Sequence, residues 1–352
     1  MNNIYNFTRK KLEQKLVQMN EKPFRATQIF EWIYRKNVKS FEEMTNIKKE
    51  SIALFNKEFE ITRLQIEKEQ ISKDGTRKYL FKLSDGNFVE TVLMNHEYGL
   101  SVCVSTQVGC NMGCAFCASG LNKKQRNLEV YEMVLQIQMI NDILSKENKR
   151  VSHVVVMGIG EPFDNYDNLI DFLRIINDPK GLEIGSRHIT VSTCGIVPKI
   201  IQYSDFELQV NLAISLHFAD DEKRSKYMLI NRAYNISELM DSIKYYYNKT
   251  NRRITFEYIL LKDINDSVED AKKLIKLIKG INCYVNLIPM NSTVNEFTRS
   301  SEEKMNTFYK TLINNNINVT LRKEQGHDID AACGQLRIKK MQGEICKDWL
   351  LK

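Results

Sequence analysis

The sequence lacks any hydrophobic stretch of about 18 residues, the length that a membrane-spanning helix needs. Its first residues, MNNIYNFTRKKLEQKL, mix charged and apolar side chains and lack the continuous apolar core of a signal peptide. Internal repeats and low-complexity linkers are absent as well. We therefore expect a cytoplasmic protein that has no membrane partner.

The composition argues against a disordered chain, because 43% of the 352 residues are hydrophobic and can bury a substantial core. This length suits one large domain with smaller attachments. Lysine and arginine number 51 against 44 acidic residues, which gives a formal net charge of +7. This excess permits a polyanionic partner such as RNA but does not require one.

The order of hydrophobic patterns predicts an α/β protein. Residues 1–75 have the pattern of short amphipathic helices and form a predicted accessory domain, and residues 76–95 are predicted connecting strands. Residues 96–328 form a predicted core of about six β/α units, followed by a basic tail at 329–352. Near-continuous apolar strands suit a parallel sheet covered by helices. We therefore expect a partial (β/α)6 or complete barrel, with ligands at the C-terminal ends of its strands.

Eight cysteines in a reducing compartment are expected to be thiols, metal ligands or catalysts rather than structural disulfides. Cys110, Cys114 and Cys117 form the pattern CxxxCxxC within eight residues. Cys103 and Cys333 also stand in distinctive contexts. Three others have no such context: Cys194, Cys283 and Cys346.

The CxxxCxxC loop predicts a four-iron, four-sulfur cluster. One wrapping loop can present three sulfurs to three irons and leave the fourth iron without a protein ligand. S-adenosylmethionine (SAM) can chelate that open iron through its amino and carboxylate groups. The alternative is a structural zinc site, which normally needs four ligands, and no fourth Cys or His follows at short range. The spacing therefore indicates a radical SAM enzyme.

The segment MGIGEP ends one predicted strand and contains Gly160 and Glu161. Glycine lets the backbone approach a ligand closely, and the Glu161 carboxylate could accept hydrogen bonds from the amino group of SAM. The segment matches neither phosphate-binding pattern, GxGxxG or GxxxxGK, and an ordinary strand exit is the alternative. Other residues at strand ends could ring the same ligand or, singly, act as cap or turn residues. They are Ser192, Ser215, Leu216, His217 and Asn291.

Three residues have roles that the pattern leaves open. Cys333 lies in GHDIDAACGQL beyond the last predicted strand, where Gly334 permits close backbone approach, but a buried spectator thiol would look the same. Cys103 lies in a predicted strand seven residues before Cys110, where a core thiol is the ordinary explanation. Glu90, in NFVETVLM, could be a solvent-facing strand residue by simple alternation.

From GNFVETVLM to DIDAACGQL the chain resembles the RlmN/Cfr family of radical SAM RNA adenine methyltransferases. The resemblance covers nearly the whole chain, because the N-terminal helical region also looks like the family's RNA-contacting accessory domain. This combination of segments is far more specific than CxxxCxxC alone. The segments are SVCVSTQVGCNMGCAFCA, MGIGEPFDN, ITVSTCGIVP, LAISLH, VNLIPMN and DIDAACGQL.

The resemblance implies a methylation of adenine that uses one [4Fe-4S] cluster and two SAM molecules per turnover. In this family one SAM methylates a C-terminal cysteine, here Cys333, and the other yields a 5′-deoxyadenosyl radical that removes hydrogen from that methyl group. The resulting carbon radical adds to adenine, and a base matching Glu90 takes the ring proton. The thiol matching Cys103 then attacks Cys333 and releases the RNA with a transient disulfide. The residues that match SAM-contacting positions are Gly160, Glu161, Ser192, Ser215, Leu216, His217 and Asn291.

The family has a housekeeping branch and a resistance branch. The first methylates carbon 2 of an adenosine in the peptidyl-transferase region of 23S rRNA and of an adenosine beside the anticodon in tRNAs, and the second methylates carbon 8 of the same rRNA adenosine. Pro162 after MGIGE and His327 before DIDAACGQL resemble the housekeeping branch. We expect a monomer whose partners are 23S rRNA, tRNA and a one-electron reductant of the flavodoxin or ferredoxin type. Carbon-8 methylation is one alternative, and a non-catalytic iron–sulfur RNA-binding sensor is another, although a sensor gives no role to Cys103 or Cys333.

Overall fold

The computed structural model describes residues 1–121, 123–291, 297–323, 325–326 and 328–329. Cys333 and His327, which carry two of the sequence-based predictions, lie outside these described residues. The predicted C-terminal tail is described only at its first residue.

Short helices form the N-terminal region, as the amphipathic pattern predicts. Thr8 is the N-cap of the first helix, because its hydroxyl accepts a hydrogen bond from a backbone N–H of the first turn. Leu12 and Leu16, one turn apart, are buried on the inner side of that helix. Strand β1 (Asn2–Asn3) pairs in parallel with β2 (Phe59–Glu60). The helices are α1 (Arg9–Gln18), α2 (Arg25–Phe30) and α3 (Lys49–Glu58).

One sheet of ten strands organises the described part of the chain. Its strands are β3 (Gln65–Ile71), β4 (Arg77–Lys82), β5 (Phe88–His96), β6 (Gly99–Cys103), β9 (His153–Val156), β10 (Ile189–Thr193), β11 (Asn211–Ser215), β12 (Ile254–Leu260), β13 (Cys283–Pro289) and β14 (Val319–Leu321). Their order across the sheet is β14-β13-β12-β11-β10-β9-β6-β5-β4-β3. Outside it, β7 (Gln107–Val108) pairs antiparallel with β8 (Arg126–Asn127).

The parallel half of the sheet runs from β6 through β9 to β14. Each of its strands except β14 is followed by at least one helix, so six β/α units succeed one another. The helices are α4 (Val130–Ser145), α5 (Tyr166–Asn177), α6 (Val197–Tyr203), α7 (Asp221–Tyr227), α8 (Ile236–Thr250), α9 (Val268–Ile278) and α10 (Glu302–Asn314). The sheet is open, with β3 and β14 at its edges, and this confirms the predicted partial (β/α)6 barrel. None of the described helices is long and apolar enough to cross a membrane.

Strand β3 differs from the prediction that residues 1–75 are helical. It pairs antiparallel with β4 at the edge of the sheet. Its sequence QIEKEQI is largely polar and none of its residues is buried, so it lacks the apolar alternation that would reveal a strand. Charged side chains on an edge strand oppose pairing with other chains.

Gly158 lies where the loop after β9 crosses the end of β6. Its N–H donates a hydrogen bond of 3.0 Å to the carbonyl oxygen of Val104, and a Cβ at this position would stand 2.6 Å from that oxygen. Because this neighbour is backbone, a side chain would push the two segments apart. We expect Gly158→Ala to lower the free energy of unfolding, measured in urea, by about 1–3 kcal/mol. Gly185→Ala is the matched control, since a Cβ there meets only the His188 ring at 3.9 Å, and equal losses in both variants would contradict the steric explanation.

Candidate active site

A cavity of about 400 Å³ lies at the C-terminal ends of the parallel strands and is also lined by the antiparallel strand β5. Of the thirteen residues that the sequence predicts as catalytic, SAM-binding or cluster-binding, eleven line it. Leu216 is buried beside the cavity without lining it, and Cys333 lies outside the described residues. The eleven are Glu90, Cys103, Cys110, Cys114, Cys117, Gly160, Glu161, Ser192, Ser215, His217 and Asn291.

Backbone hydrogen bonds hold the loop that carries Cys110, Cys114 and Cys117. Within the loop, the Cys117 N–H donates to the Cys114 carbonyl oxygen at 3.1 Å and makes a turn. Between these cysteines, the Ala115 N–H donates to the carbonyl oxygen of Tyr227, the last residue of α7, at 2.9 Å. The loop is therefore fixed to the barrel and not only to its own ends.

The three thiols are the donor set that the predicted cluster requires. Burial raises the pKa of Cys110 to about 12 and that of Cys114 well above its usual range. Without a cation both are therefore neutral thiols, and binding to iron would be needed to stabilise their thiolates. Among the residues that the structure describes, no group of three or more His, Cys, Asp or Glu side chains could hold a metal ion. A [4Fe-4S] cluster makes a different demand, because each thiolate binds its own iron.

Glu161 is buried between the ends of β9 and β10. Its carboxylate oxygens accept hydrogen bonds from the N–H groups of Cys194 at 2.8 Å and Phe163 at 3.0 Å. Burial raises the pKa of Glu161, and these N–H groups oppose that rise. Gly160 before it has φ +109°, and a Cβ there would stand 2.6 Å from the Cβ of Gln107. Position 160 thus needs glycine. The loop holds the Glu161 carboxylate in the cavity, where an ammonium group could bind.

His217 follows β11 in the left-handed region, with φ +58°, which few residues other than glycine adopt. Its Nδ1 accepts a hydrogen bond from the Ile259 N–H at 3.1 Å. Burial, aided by the nearby Arg224 guanidinium, lowers the pKa of His217 to about 3. The imidazole is therefore neutral and carries its proton on Nε2 as a donor. The Phe116 ring from the cysteine loop packs edge-to-face on it, with centroids 5.1 Å apart.

The remaining predicted SAM contacts lie at neighbouring strand ends. The hydroxyls of Ser192 on β10 and Ser215 on β11 are 3.2 Å apart. Leu216 buries its side chain, and its carbonyl oxygen accepts a hydrogen bond from Arg224 at 3.2 Å. Asn291, just beyond β13, is exposed at the cavity. The strand-end prediction thus places five residues close together, four of which line the cavity.

Cys103 on β6 lies opposite Val92 on β5, and Val92 lies opposite Lys78 on β4. Partners across a ladder share one face of the sheet, and Glu90, two residues before Val92, shares it too. The Lys78 Nζ is 2.9 Å from a Glu90 carboxylate oxygen, and both side chains are buried. A solvent-facing Glu90, the alternative that alternation left open, is therefore wrong. Burial raises the pKa of the half-buried Cys103 thiol, and the Arg322 guanidinium opposes that rise.

Lys78, Glu257 and Arg322 are functional candidates that the sequence analysis missed. Glu257 is buried in β12, lines the cavity and accepts a hydrogen bond of 2.8 Å from the Asn286 side-chain amide. Burial raises the pKa of Glu257 to about 7, against the opposing charge of Arg322. The sequence could have identified Glu257, because it is a single acid inside the apolar run RITFEYILL and acids are almost never fully buried unless another group pairs with them.

Two family models match the chain. "Ribosomal RNA large subunit methyltransferase N-terminal domain" matches residues 2–61, and "Radical SAM superfamily" matches residues 104–278. A probable dual-specificity RNA methyltransferase RlmN of Bacillus licheniformis is 54% identical, over 97% of this chain and 95% of its own length. The protein with the same description from Spiroplasma citri is 55% identical, over 99% of this chain and 100% of its own length.

The chain belongs to the RlmN family. A solved radical SAM methyltransferase from Sphaerobacter thermophilus is 40% identical and superposes with a TM-score of 0.90, covering 95% of this chain and 99% of its own. The family resemblance found in the motifs is thereby confirmed. As a radical SAM family member, the chain uses SAM and a [4Fe-4S] cluster.

The buried pair of Lys78 and Glu90 should couple strongly in stability. Removing one member of a buried ion pair leaves the other charge in a dry site, which costs about 3–5 kcal/mol. We expect Lys78→Met and Glu90→Gln each to destabilise the chain, and the double variant to lose at least ~2 kcal/mol less than the sum of the two. Urea unfolding of the four proteins measures this coupling, and additive losses would show that the pair does not interact.

Glu257 should make stability depend on pH. Its folded pKa of about 7 exceeds the ordinary value of 4.5, so the folded state holds the proton more tightly than the unfolded state. Its contribution to stability is therefore full below pH 4.5 and is lost as pH rises through 7. Since Glu257→Gln cannot titrate, its unfolding free energy relative to wild type should rise by about 2–3 kcal/mol from pH 5 to pH 8. A difference that stays constant in urea unfolding over this range would contradict the raised pKa.

Proposed function

We propose that this protein methylates carbon 2 of one adenosine in the peptidyl-transferase region of 23S rRNA and of the adenosine beside the anticodon in tRNAs. The observation that carries the proposal is the meeting of the three loop cysteines, Cys103 and Glu90 at one cavity. The description of the relatives as dual-specificity RNA methyltransferases supports two RNA substrates. Carbon 2 of adenine is electron-poor and cannot displace the methyl group of SAM directly, so this reaction needs a radical route.

In this proposal Cys110, Cys114 and Cys117 would hold the cluster, which would bind SAM through the iron that has no cysteine ligand. When bound, the cluster and SAM supply the one-electron chemistry that removes hydrogen from a methyl group. The chain supplies the positioning. Glu161, which the Cys194 N–H holds in place, would accept hydrogen bonds from the SAM amino group. The neutral His217, whose Nδ1 is occupied by the Ile259 N–H, would donate from Nε2 to SAM. The further SAM-binding residues are Gly160, Ser192, Ser215, Leu216 and Asn291.

Cys333 and Cys103 take part in different covalent steps. The Cys333 sulfur takes a methyl group from one SAM. A second SAM is the source of the 5′-deoxyadenosyl radical, so two SAM molecules are consumed per turnover. After the methyl carbon on Cys333 has bonded to adenine, the adduct must lose one electron and one proton. The cluster would supply the acceptor for the electron, and Glu90 takes the ring proton. The Cys103 thiolate attacks the Cys333 sulfur, the sulfur–carbon bond breaks with its electron pair on carbon, and that carbon takes a proton to become the methyl group. The disulfide left between the two cysteines is later reduced by two electrons from a thiol reductant.

Several features support the RNA partners. The formal charge of +7 favours a polyanion. The description of the model that matches residues 2–61 supports RNA contact by the N-terminal helical region. We further propose that the chain acts as a monomer in the cytoplasm, where rRNA and tRNA are found, and that a flavodoxin- or ferredoxin-type protein supplies single electrons.

The two outlying thiols should give opposite results when replaced. Cys333→Ala should abolish RNA methylation and any protein–RNA bond, because no carbon is then carried to adenine. Cys103→Ala should form the bond but not resolve it, so RNA should stay attached to the protein. Denaturing electrophoresis of anaerobic reactions would show a slow, nuclease-sensitive band in the Cys103 variant alone.

Cys283→Ala is the matched control, because Cys283 is a buried free thiol that does not line the cavity. It should turn over without an accumulating adduct. Release of methylated RNA at the normal rate by Cys103→Ala would remove the resolving role of that thiol. Methylation by Cys333→Ala would end the methylcysteine mechanism.

A further inference from the structure

The turn at residues 72–76, between β3 and β4, contacts the segment that follows β14. The Gly326 N–H donates a hydrogen bond of 2.7 Å to one carboxylate oxygen of Asp74. The Asp328 carboxylate accepts from the Lys73 N–H at 3.2 Å and from the Ser72 hydroxyl. These contacts join positions more than 250 residues apart in the sequence.

The turn is formed by its own hydrogen bonds, independently of the segment it holds. The Ser72 N–H donates to the Thr76 carbonyl oxygen at 2.8 Å, and Gly75 takes φ +85°. One Asp74 oxygen accepts from the Thr76 N–H at 2.9 Å, which leaves its other oxygen for Gly326. Desolvation of its carboxylate would raise the pKa of Asp74, but the N–H groups of Gly326 and Thr76 hold it well below its usual range. The carboxylate is therefore charged throughout the physiological range and accepts continuously.

The same segment is fixed a second time along β13 and β5. The Arg322 N–H donates to the Leu287 carbonyl oxygen at 2.8 Å. The Gln325 side-chain amide donates to the Asn95 carbonyl oxygen at 3.4 Å. Gln325 also lines the cavity, as does Thr76 from the turn. The contact between turn and segment thus lies at the rim of the candidate active site.

The contact between the turn and the segment after β14 limits how far Cys333 can lie from the turn. Cys333 is the fifth residue after Asp328, and a fully extended chain spans at most ~3.4 Å per residue, or roughly 17 Å over these five steps. We propose that the turn at residues 72–76 is a latch that positions the Cys333 segment for methyl transfer. Asp74 and Ser72 are positioning residues in this scheme and touch no reacting atom. The inference rests on the proposed role of Cys333 as methyl carrier.

Asp74→Asn tests the latch with little change to the turn. The Asn side-chain oxygen can still accept from Thr76, but its NH₂ group then faces the Gly326 N–H, donor against donor. The chain offers a matched control in the turn between β4 and β5. There the Asp85 carboxylate accepts a hydrogen bond from the Asn87 N–H at 3.0 Å, and the next residue, Gly86, has φ +82°. Asp85 also binds Arg126 and not the segment after β14. Asp85→Asn therefore repeats the chemistry of the change without breaking the latch.

Two measurements on the anaerobic holoenzyme decide the matter. Hydrogen exchange of the peptide covering residues 322–329 should quicken about three- to tenfold in Asp74→Asn, because a hydrogen bond to a charged acceptor is lost, and should be unchanged in Asp85→Asn. The methylated RNA formed per 5′-deoxyadenosine released should fall by a similar factor in Asp74→Asn, since SAM is still cleaved while the methyl carrier is misplaced. Ser72→Ala, which leaves Asp74 intact, should produce a smaller change in the same direction.

Other results would overturn the latch. Exchange in Asp74→Asn at the wild-type rate shows that the turn does not hold the segment. Faster exchange with an unchanged ratio of methylated RNA to 5′-deoxyadenosine shows that the contact has no positioning role. If mass spectrometry finds no methyl group on Cys333 of the wild-type enzyme, the proposed function fails and the positioning role with it, whereas the exchange rates still report whether the turn binds the segment.

Discussion

Arg224 is the buried cation on which the arrangement of the strand ends depends. Its fully buried guanidinium donates to the carbonyl oxygens of Cys194 at 2.7 Å and Leu216 at 3.2 Å, and to the Asn231 side-chain oxygen at 2.8 Å. Burying a guanidinium is unfavourable unless its N–H groups find acceptors, and these three oxygens provide them. Because Cys194 follows β10 and Leu216 follows β11, one side chain ties two neighbouring strand ends together. It thereby fixes the backbone on which His217 takes its left-handed conformation.

Glu90 and Glu257, two of the three buried carboxylates that line the cavity, have different neighbours. Glu90 faces the ammonium group of Lys78, whereas Glu257 faces the neutral amide of Asn286. Glu90 is thus ion-paired, while burial raises the pKa of Glu257 to about 7. Glu90 also shares its face of the sheet with Cys103. A carboxylate and a thiol on one face of the sheet, in the lining of the same cavity as the cysteine loop, suit a site that must accept a proton and resolve a covalent bond.

The strongest sequence predictions rested on local spacing and on strand ends. CxxxCxxC predicted a cluster-binding loop because one short loop carries all three thiols, and the structure places those thiols in the lining of the cavity. Parallel strands bring residues such as Glu161 and His217 to one edge whatever their separation along the chain. Alternation failed for Glu90, because Val89 and Thr91 on the other face of β5 are buried too. The pairing with Lys78 depends on the register of β4 against β5, which no local pattern specifies.

Methylation at carbon 2 is tested most directly by mass spectrometry of nucleosides from the peptidyl-transferase region of 23S rRNA. The RNA is isolated from a strain that lacks this gene and from the same strain carrying the gene again. We expect 2-methyladenosine at one position to disappear on deletion and to return with the gene, and 8-methyladenosine to be absent from both. Unchanged 2-methyladenosine in the deletion strain, or 8-methyladenosine that appears with the gene, would contradict the proposed function.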